Sequence, residues 1–141
     1  MTTEAARITV LCADDNAEVL AALRQKLAAR PEIALVGTRP DATDLLAAIA
    51  CYHPVVIVLD LDMPGKDPMT VLAEVGSEHP ESRVVLFSAH VGPELLERAT
   101  NAGAWGYVSK GDGEDALVDA IRRVHQGEFV LSPEVQMVRG R

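Results

Sequence analysis

The chain has 141 residues, 48% of them apolar and 24% charged, with a formal net charge of −8. That length suits one domain with its own core. The acidic balance disfavours direct binding of nucleic acid or of an anionic membrane, which requires a basic face.

No apolar stretch of the sequence approaches the ~20 residues of a membrane span, and Met1 to Arg7 lacks the apolar segment of a signal peptide. Cys12 and Cys51 are too few for a disulfide framework and have no metal-type spacing. Both are expected to be small buried hydrophobes. A cytoplasmic location with no membrane contact is the expectation.

Ile8 to Cys12 is a short apolar strand running into Ala13-Asp14-Asp15. Asn16 is placed to cap a helix whose apolar stripe is Val19, Leu20, Leu23 and Leu27. Ile33 to Val36 is the second strand. Asp41 is placed to cap a second helix with Leu45, Leu46 and Ile49 inward, and His53-Pro54 stops it. Val55-Val56-Ile57-Val58-Leu59 is β-branched in four of five places, as in a strand buried on both faces, and Asp60 closes it.

Asp67 and Pro68 read as N-cap and first-turn proline of a third helix, Met69 to Ser77. Arg83 to Phe87 is the fourth strand and delivers Ser88 to its tip. Pro93 opens a fourth helix with Leu95, Leu96 and Ala99, and Gly103 is its left-handed terminator. Gly106-Tyr107-Val108 is a short fifth strand before Ser109-Lys110. Asp112 is placed to cap the last long helix, where Leu117, Ile121 and Val124 recur at helical spacing up to Gly127. Ser132-Pro133-Glu134 is a further helix start.

Strands alternating with helices call for an α/β fold: a doubly wound, five-stranded parallel sheet with helices on both faces. The C-terminal ends of its strands then present Asp14, Asp15, Asp60, Ser88 and Lys110 on one edge, where open α/β sheets keep their chemistry. Each residue is ordinary alone; their common placement is the signal. Clustered carboxylates repel unless a cation intervenes. Hard oxygen ligands with few protein donors suit Mg²⁺, which leaves room for phosphate oxygens. A carboxylate such as Asp60 is also a nucleophile capable of forming an acyl phosphate.

Four segments carry a family resemblance: Ala13-Asp14-Asp15-Asn16, Val58-Leu59-Asp60-Leu61-Asp62-Met63-Pro64-Gly65, Phe87-Ser88-Ala89 and Gly103-Ala104-Trp105-Gly106-Tyr107-Val108-Ser109-Lys110. Together they resemble the receiver domain of bacterial two-component response regulators. The resemblance implies the flavodoxin-like strand order 2-1-3-4-5 and a phosphoacceptor switch, not an enzyme acting on other molecules. Asp60 would accept a phosphoryl group from a cognate sensor histidine kinase. Asp15 and Asp60 would bind Mg²⁺ directly, Asp14 through water and Asp62 through its backbone carbonyl. Ser88 and Lys110 would hold the acyl phosphate, with Ser88 and Tyr107 as the switch pair. A phosphorylation-linked homodimer is a further expectation, one in which Arg122 and Arg123 would pair across the interface.

Gly111 follows Lys110 where most of the family has proline. With Leu131-Ser132-Pro133-Glu134-Val135, this departure resembles the NarL/FixJ-type subfamily, whose members usually carry a C-terminal DNA-binding domain. Residues 1–127 are accordingly expected to be the receiver domain, and 128–141 a linker or the start of a linker helix toward an output domain through which DNA would be contacted. Asp62 and His90 occupy positions that in the family tune the lifetime of the acyl phosphate. Two alternatives stand beside this assignment: a receiver-like interaction module without phosphorylation, and a haloacid-dehalogenase-type phosphatase using Leu59-Asp60-Leu61-Asp62. The second would require an acidic pair downstream, whereas Asp14-Asp15 lies upstream.

Overall fold

The structure is a computed structural model and describes Arg7–Arg139. The polar N-terminal segment discussed above lies, apart from Arg7, outside the described residues. Six strands form one sheet: β1 Ile8–Ala13, β2 Ile33–Arg39, β3 Val56–Leu59, β4 Arg83–Ser88, β5 Gly106–Ser109 and β6 Val130–Leu131. Their order is β2-β1-β3-β4-β5-β6, and every pairing is parallel. The helices are α1 Ala17–Ala28, α2 Leu45–Tyr52, α3 Pro68–Glu78, α4 Pro93–Asn101, α5 Gly113–His125 and α6 Pro133–Val138.

The expected five-stranded sheet is corrected to six strands; the first five keep the expected order. Two residues are too few to display a strand period, so β6 left no pattern to read. It forms because β5 would otherwise be an open edge. The amides of Val130 and Ser132 donate to the carbonyls of Trp105 and Tyr107 at 3.0 and 3.1 Å. Part of the segment expected as a linker therefore sits in the sheet, and α6 follows it with Val135 buried.

Alternation along the strands sorts the core into two layers. Val56 and Val58 of β3 face α1 and α5, together with Val10, Cys12, Val85, Phe87 and Val108. Ile57 and Leu59 face the opposite side with Leu11, Leu86 and Tyr107, covered by α2, α3, α4 and α6. Complete burial of such a side chain stabilises by roughly 1.5–3 kcal/mol, so the four buried residues of β3 contribute strongly although the strand is short.

The helix starts follow local chemistry, with two corrections. Asn16 accepts from the amides of Glu18 and Val19, and Asp67 from that of Met69, as expected. Asp41 bonds the amide of Thr43 and caps no helix, because α2 begins later, at Leu45. Asp112 does not cap α5; its carboxylate accepts from the amide of Glu134 at the start of α6. Cys12 is buried but Cys51 is exposed, at the outer end of α2, which corrects the expectation for that residue.

Candidate functional site

The site begins with strand register. Ala13 of β1 stands beside Leu59 of β3, and the Asp60 amide donates to the Ala13 carbonyl at 3.0 Å. Asp14 and Asp60 thus leave neighbouring strands side by side. Both are almost fully buried, while Asp15 is exposed. One carboxylate oxygen from each of Asp14, Asp15 and Asp60 lies within 4.8 Å of the others.

Two turns hold the carboxylates. The Asn16 amide donates to Asp14 Oδ1 at 2.9 Å, and the Asp62 amide to Asp60 Oδ1 at 3.1 Å. The remaining oxygens face Lys110. Its Nζ lies 2.8 Å from Asp14 Oδ2 and 3.5 Å from Asp60 Oδ2, with the Phe87 ring 5.9 Å away. Among the described residues, Lys110 is thus the one cation at these carboxylates, ion-paired with the buried Asp14 Oδ2 and more loosely with Asp60 Oδ2. Three carboxylates against a single ammonium leave net negative charge in the pocket. The donor set fits a hard divalent cation.

Burial raises the Asp60 carboxyl above the ordinary carboxylate range, and the negative Asp14 adds to the shift, against the Asp62 amide and the Lys110 ammonium. Burial works against the charge of Lys110, but Asp14 and Asp60 outweigh it and hold the ammonium above its usual value. The pocket therefore keeps a positive group in place and contains a carboxylate whose negative charge is unfavourable unless a cation joins it. Burial also pushes the Cys12 thiol, beneath Asp14, up to about 12, the behaviour of a packing residue and not of a reactive thiolate.

Ser88 ends β4, fully buried, and its Oγ accepts from the His90 amide at 2.9 Å. Tyr107 lies inward at 1% exposure and donates to the His90 carbonyl at 2.5 Å. Burial, assisted by the charge of Asp62, pushes its hydroxyl up to about 12, so it remains a donor. The exposed His90 side chain pairs with Asp62, its Nδ1 2.6 Å from Asp62 Oδ2. One backbone segment thus joins Ser88, Tyr107 and Asp62.

The structure brings Asp14, Asp15, Asp60 and Lys110 together. The carboxylate of Asp62 turns toward His90 and stands apart from the acidic cluster. The pairing of Asp62 with His90 was not legible from the sequence, where the two residues are 28 positions apart. Also missed was the grip of α6 on the residues flanking Lys110: Ser109 Oγ donates to Glu134 Oε1 at 2.5 Å, and the Ser109 amide to Ser132 Oγ at 2.9 Å. The only sequence signal for it was Ser132-Pro133-Glu134, which reads as a helix start. Within the chain, Arg122 pairs with Glu32, and Arg123 with Asp119 and Glu128.

Residues 10–122 match the family model of the response regulator receiver domain. The chain belongs to the response regulator receiver family. A transcriptional regulatory protein of Bacillus subtilis (strain 168), YvfU, is 34% identical over 129 residues, which is 91% of this chain and 64% of that protein. The receiver chain spans between 55% and 64% of the length of the first curated relatives it matches. Among solved structures, a LuxR-family two-component response regulator from Aurantimonas sp. SI85-9A1 superposes with a TM-score of 0.89 at 26% identity, covering 94% of this chain and 95% of that one. The signal receiver domain of a NarL response regulator from Mycobacterium tuberculosis superposes with a TM-score of 0.83 at 29% identity, covering 88% and 100%. Receivers of this family are signalling switches. No described helix is long and apolar enough to cross a membrane.

Proposed function

We propose that this receiver is a phosphoacceptor in which one carboxylate oxygen of Asp60 bonds to phosphorus as the P–N bond of a histidine kinase's phosphohistidine breaks. The imidazole nitrogen leaves with the bonding pair, and Asp60 becomes an acyl phosphate. The observation that carries this is the buried Asp60 between Asp14 and the Lys110 ammonium, 3.5 Å from its Oδ2. Phosphoryl transfer needs positioning and charge neutralisation more than covalent help.

Lys110 is placed to pair with the incoming phosphoryl oxygens, which would draw it off the two carboxylates. Asp14, Asp15 and Asp60 would hold the divalent ion, with the Asp62 carbonyl as a further ligand. Mg²⁺, when bound, supplies positive charge to the phosphoryl group. Ser88 is placed to donate its hydroxyl to the acyl phosphate. Doing so requires Ser88 to reorganise beside His90, whose carbonyl holds Tyr107. The output is a population shift of the β4–α4 segment and α4. The complete acidic set and the lysine argue against an interaction module without phosphorylation, and the upstream acidic pair argues against the phosphatase.

The partners that follow are a sensor histidine kinase, a second copy of the phosphorylated receiver, and DNA through an output domain. Residues 128–141 begin the connection to that domain, with β6 and α6 as its first packed elements, and the setting is the cytoplasm. Incubation with acetyl phosphate and Mg²⁺ followed by intact mass measurement should add one phosphoryl group per chain. Asp60→Asn should add none. An unlabelled parent, under conditions that label another receiver, excludes this function.

A further inference from the structure

We propose that Glu134 of α6 is a positioning residue for Lys110, so that the efficiency of phosphoryl capture depends on how α6 is seated. This rests on the phosphoacceptor function proposed above. Lys110 opens a single 3-10 turn, Lys110–Asp112, between β5 and α5. Its own side chain is tethered by the two carboxylates with which a phosphoryl group would compete, with the Phe87 ring 5.9 Å from its Nζ. The residues that flank it, Ser109 and Asp112, are tied to the start of α6.

The start of α6 grips Ser109, just before that lysine, and Asp112, two residues after it. Ser132 Oγ accepts from the Ser109 amide at 2.9 Å, and Glu134 Oε1 accepts from the Ser109 hydroxyl at 2.5 Å. With its proton committed to Glu134, Ser109 Oγ turns a lone pair to the Gly111 amide at 3.1 Å. On the far side of Lys110, the Glu134 amide donates to Asp112 Oδ2 at 2.9 Å. Residues 109, 111 and 112 are thus tied into one network through Glu134, and only the side chain of residue 110 points elsewhere. Asp112 leaves the start of α5 uncapped to take part.

Gly111 belongs to the same device. A Cβ there would stand 3.3 Å from Ser109 Oγ and 3.4 Å from Glu134 Oε2, tighter than or at the limit of ordinary contact. A proline there would also remove the N–H that Ser109 receives. Glycine after the lysine and glutamate in α6 are therefore two halves of one arrangement. Hydrogen-bonded partners that orient a functional side chain from behind commonly control its effectiveness.

The test compares the parent, Lys110→Ala, Glu134→Ala, Glu134→Gln and the double variant Lys110→Ala/Glu134→Ala. The readout is the initial rate of acyl-phosphate formation from acetyl phosphate and Mg²⁺. Glu134→Ala should label about tenfold more slowly, the lower end of what removal of an orienting partner causes. Glu134→Gln retains an acceptor oxygen for the Ser109 hydroxyl and should recover most of the rate. In the Lys110→Ala background the Glu134→Ala change should have no further effect, since non-additivity marks residues acting through one another.

A Glu134→Ala protein that labels at the parental rate overturns the inference. So does an equal slowing in both backgrounds, which marks a merely structural role. A separate readout needs no phosphorylation. The chain's lysines are Lys26, Lys66 and Lys110, so the ¹³C resonance of reductively methylated Lys110 can be followed directly. It should shift in Glu134→Ala and stay in Glu134→Gln, and an unmoved resonance also overturns the inference. A parent that takes up no phosphoryl group defeats the phosphoacceptor function instead, and the resonance tells the two failures apart.

Discussion

Two helices on opposite faces of the sheet, α5 and α4, are held very differently. α5 buries Leu117, Val118, Ala120, Ile121 and Val124. α4 buries only Ala99 fully and leaves Leu95 and Leu96 half-exposed. Both helices are amphipathic and both follow a strand that delivers a site residue, so sequence periodicity alone makes them look alike. The difference is one of anchoring. α5 is a fixed wall behind Lys110, whereas α4 hangs from a segment whose attachments are the Ser88, Tyr107 and Asp62 contacts of His90. Elements with few buried apolar contacts are those that move at low free-energy cost. A phosphoryl group on Asp60, as proposed, would therefore have a weakly anchored helix to act on, α4, and a firmly packed one to act against, α5.

Core truncation should expose this asymmetry most strongly. Ile121→Ala in α5 should cost about 2–5 kcal/mol of stability in urea unfolding, as for fully buried Ile→Ala changes. Leu96→Ala in α4 should cost about 1 kcal/mol, because a half-buried leucine gives up only part of its transfer free energy. Equal losses would remove the distinction between the two helices.

The next effect follows from the raised Asp60 carboxyl. Between its ordinary value and its raised folded value, the folded state keeps a proton that the unfolded state releases. Stability from this group is complete at low pH and declines as pH rises through that window. The contribution of this group to the stability of the metal-free protein should therefore fall as pH rises above the ordinary aspartate range, opposite in sign to that of Glu32 and Asp115, whose carboxyls are held low. Asp60→Asn should flatten that decline and raise the melting temperature at neutral pH. Mg²⁺ should stabilise the parent by mass action and Asp60→Asn much less. Thermal melts across pH, with and without Mg²⁺, check all three expectations.

The smallest effect should come from Tyr107→Phe. It removes one hydrogen bond to the His90 carbonyl while keeping the buried ring, a loss of about 0.5–1.5 kcal/mol. Its main consequence should be local: faster amide exchange across residues 88–95, with α5 unchanged. Uniform acceleration in both helices would show that the hydroxyl supports the whole fold and not the weakly anchored helix.

Most of the fold and of the acidic cluster was legible in the sequence. Five strands, their parallel arrangement and the residues at their tips followed from short apolar runs ending in Asp, Ser or Lys, because an aliphatic run buried on both faces tolerates little else. Two kinds of feature were hidden. β6 has two residues, so its existence depends on the vacant edge of β5 and not on its own pattern. Polar residues near a helix start have several possible partners, and only tertiary placement chooses among them. Asp112 gives its carboxylate to α6, Asp41 bonds within its own loop, and Asp62 meets His90. The acidic cluster was readable as a set, while the contacts that brace it from behind, including Glu134, lie too far along the chain for any spacing rule.

The most direct measurement is chemical trapping of the modified residue. Protein treated with acetyl phosphate and Mg²⁺ is reduced with borohydride, which converts an aspartyl phosphate to homoserine, and the digest is sequenced by tandem mass spectrometry. Homoserine at position 60, and at no other aspartate, is the expected result. Homoserine at position 14, 15 or 62, or at no position in protein shown to carry the label, would contradict it.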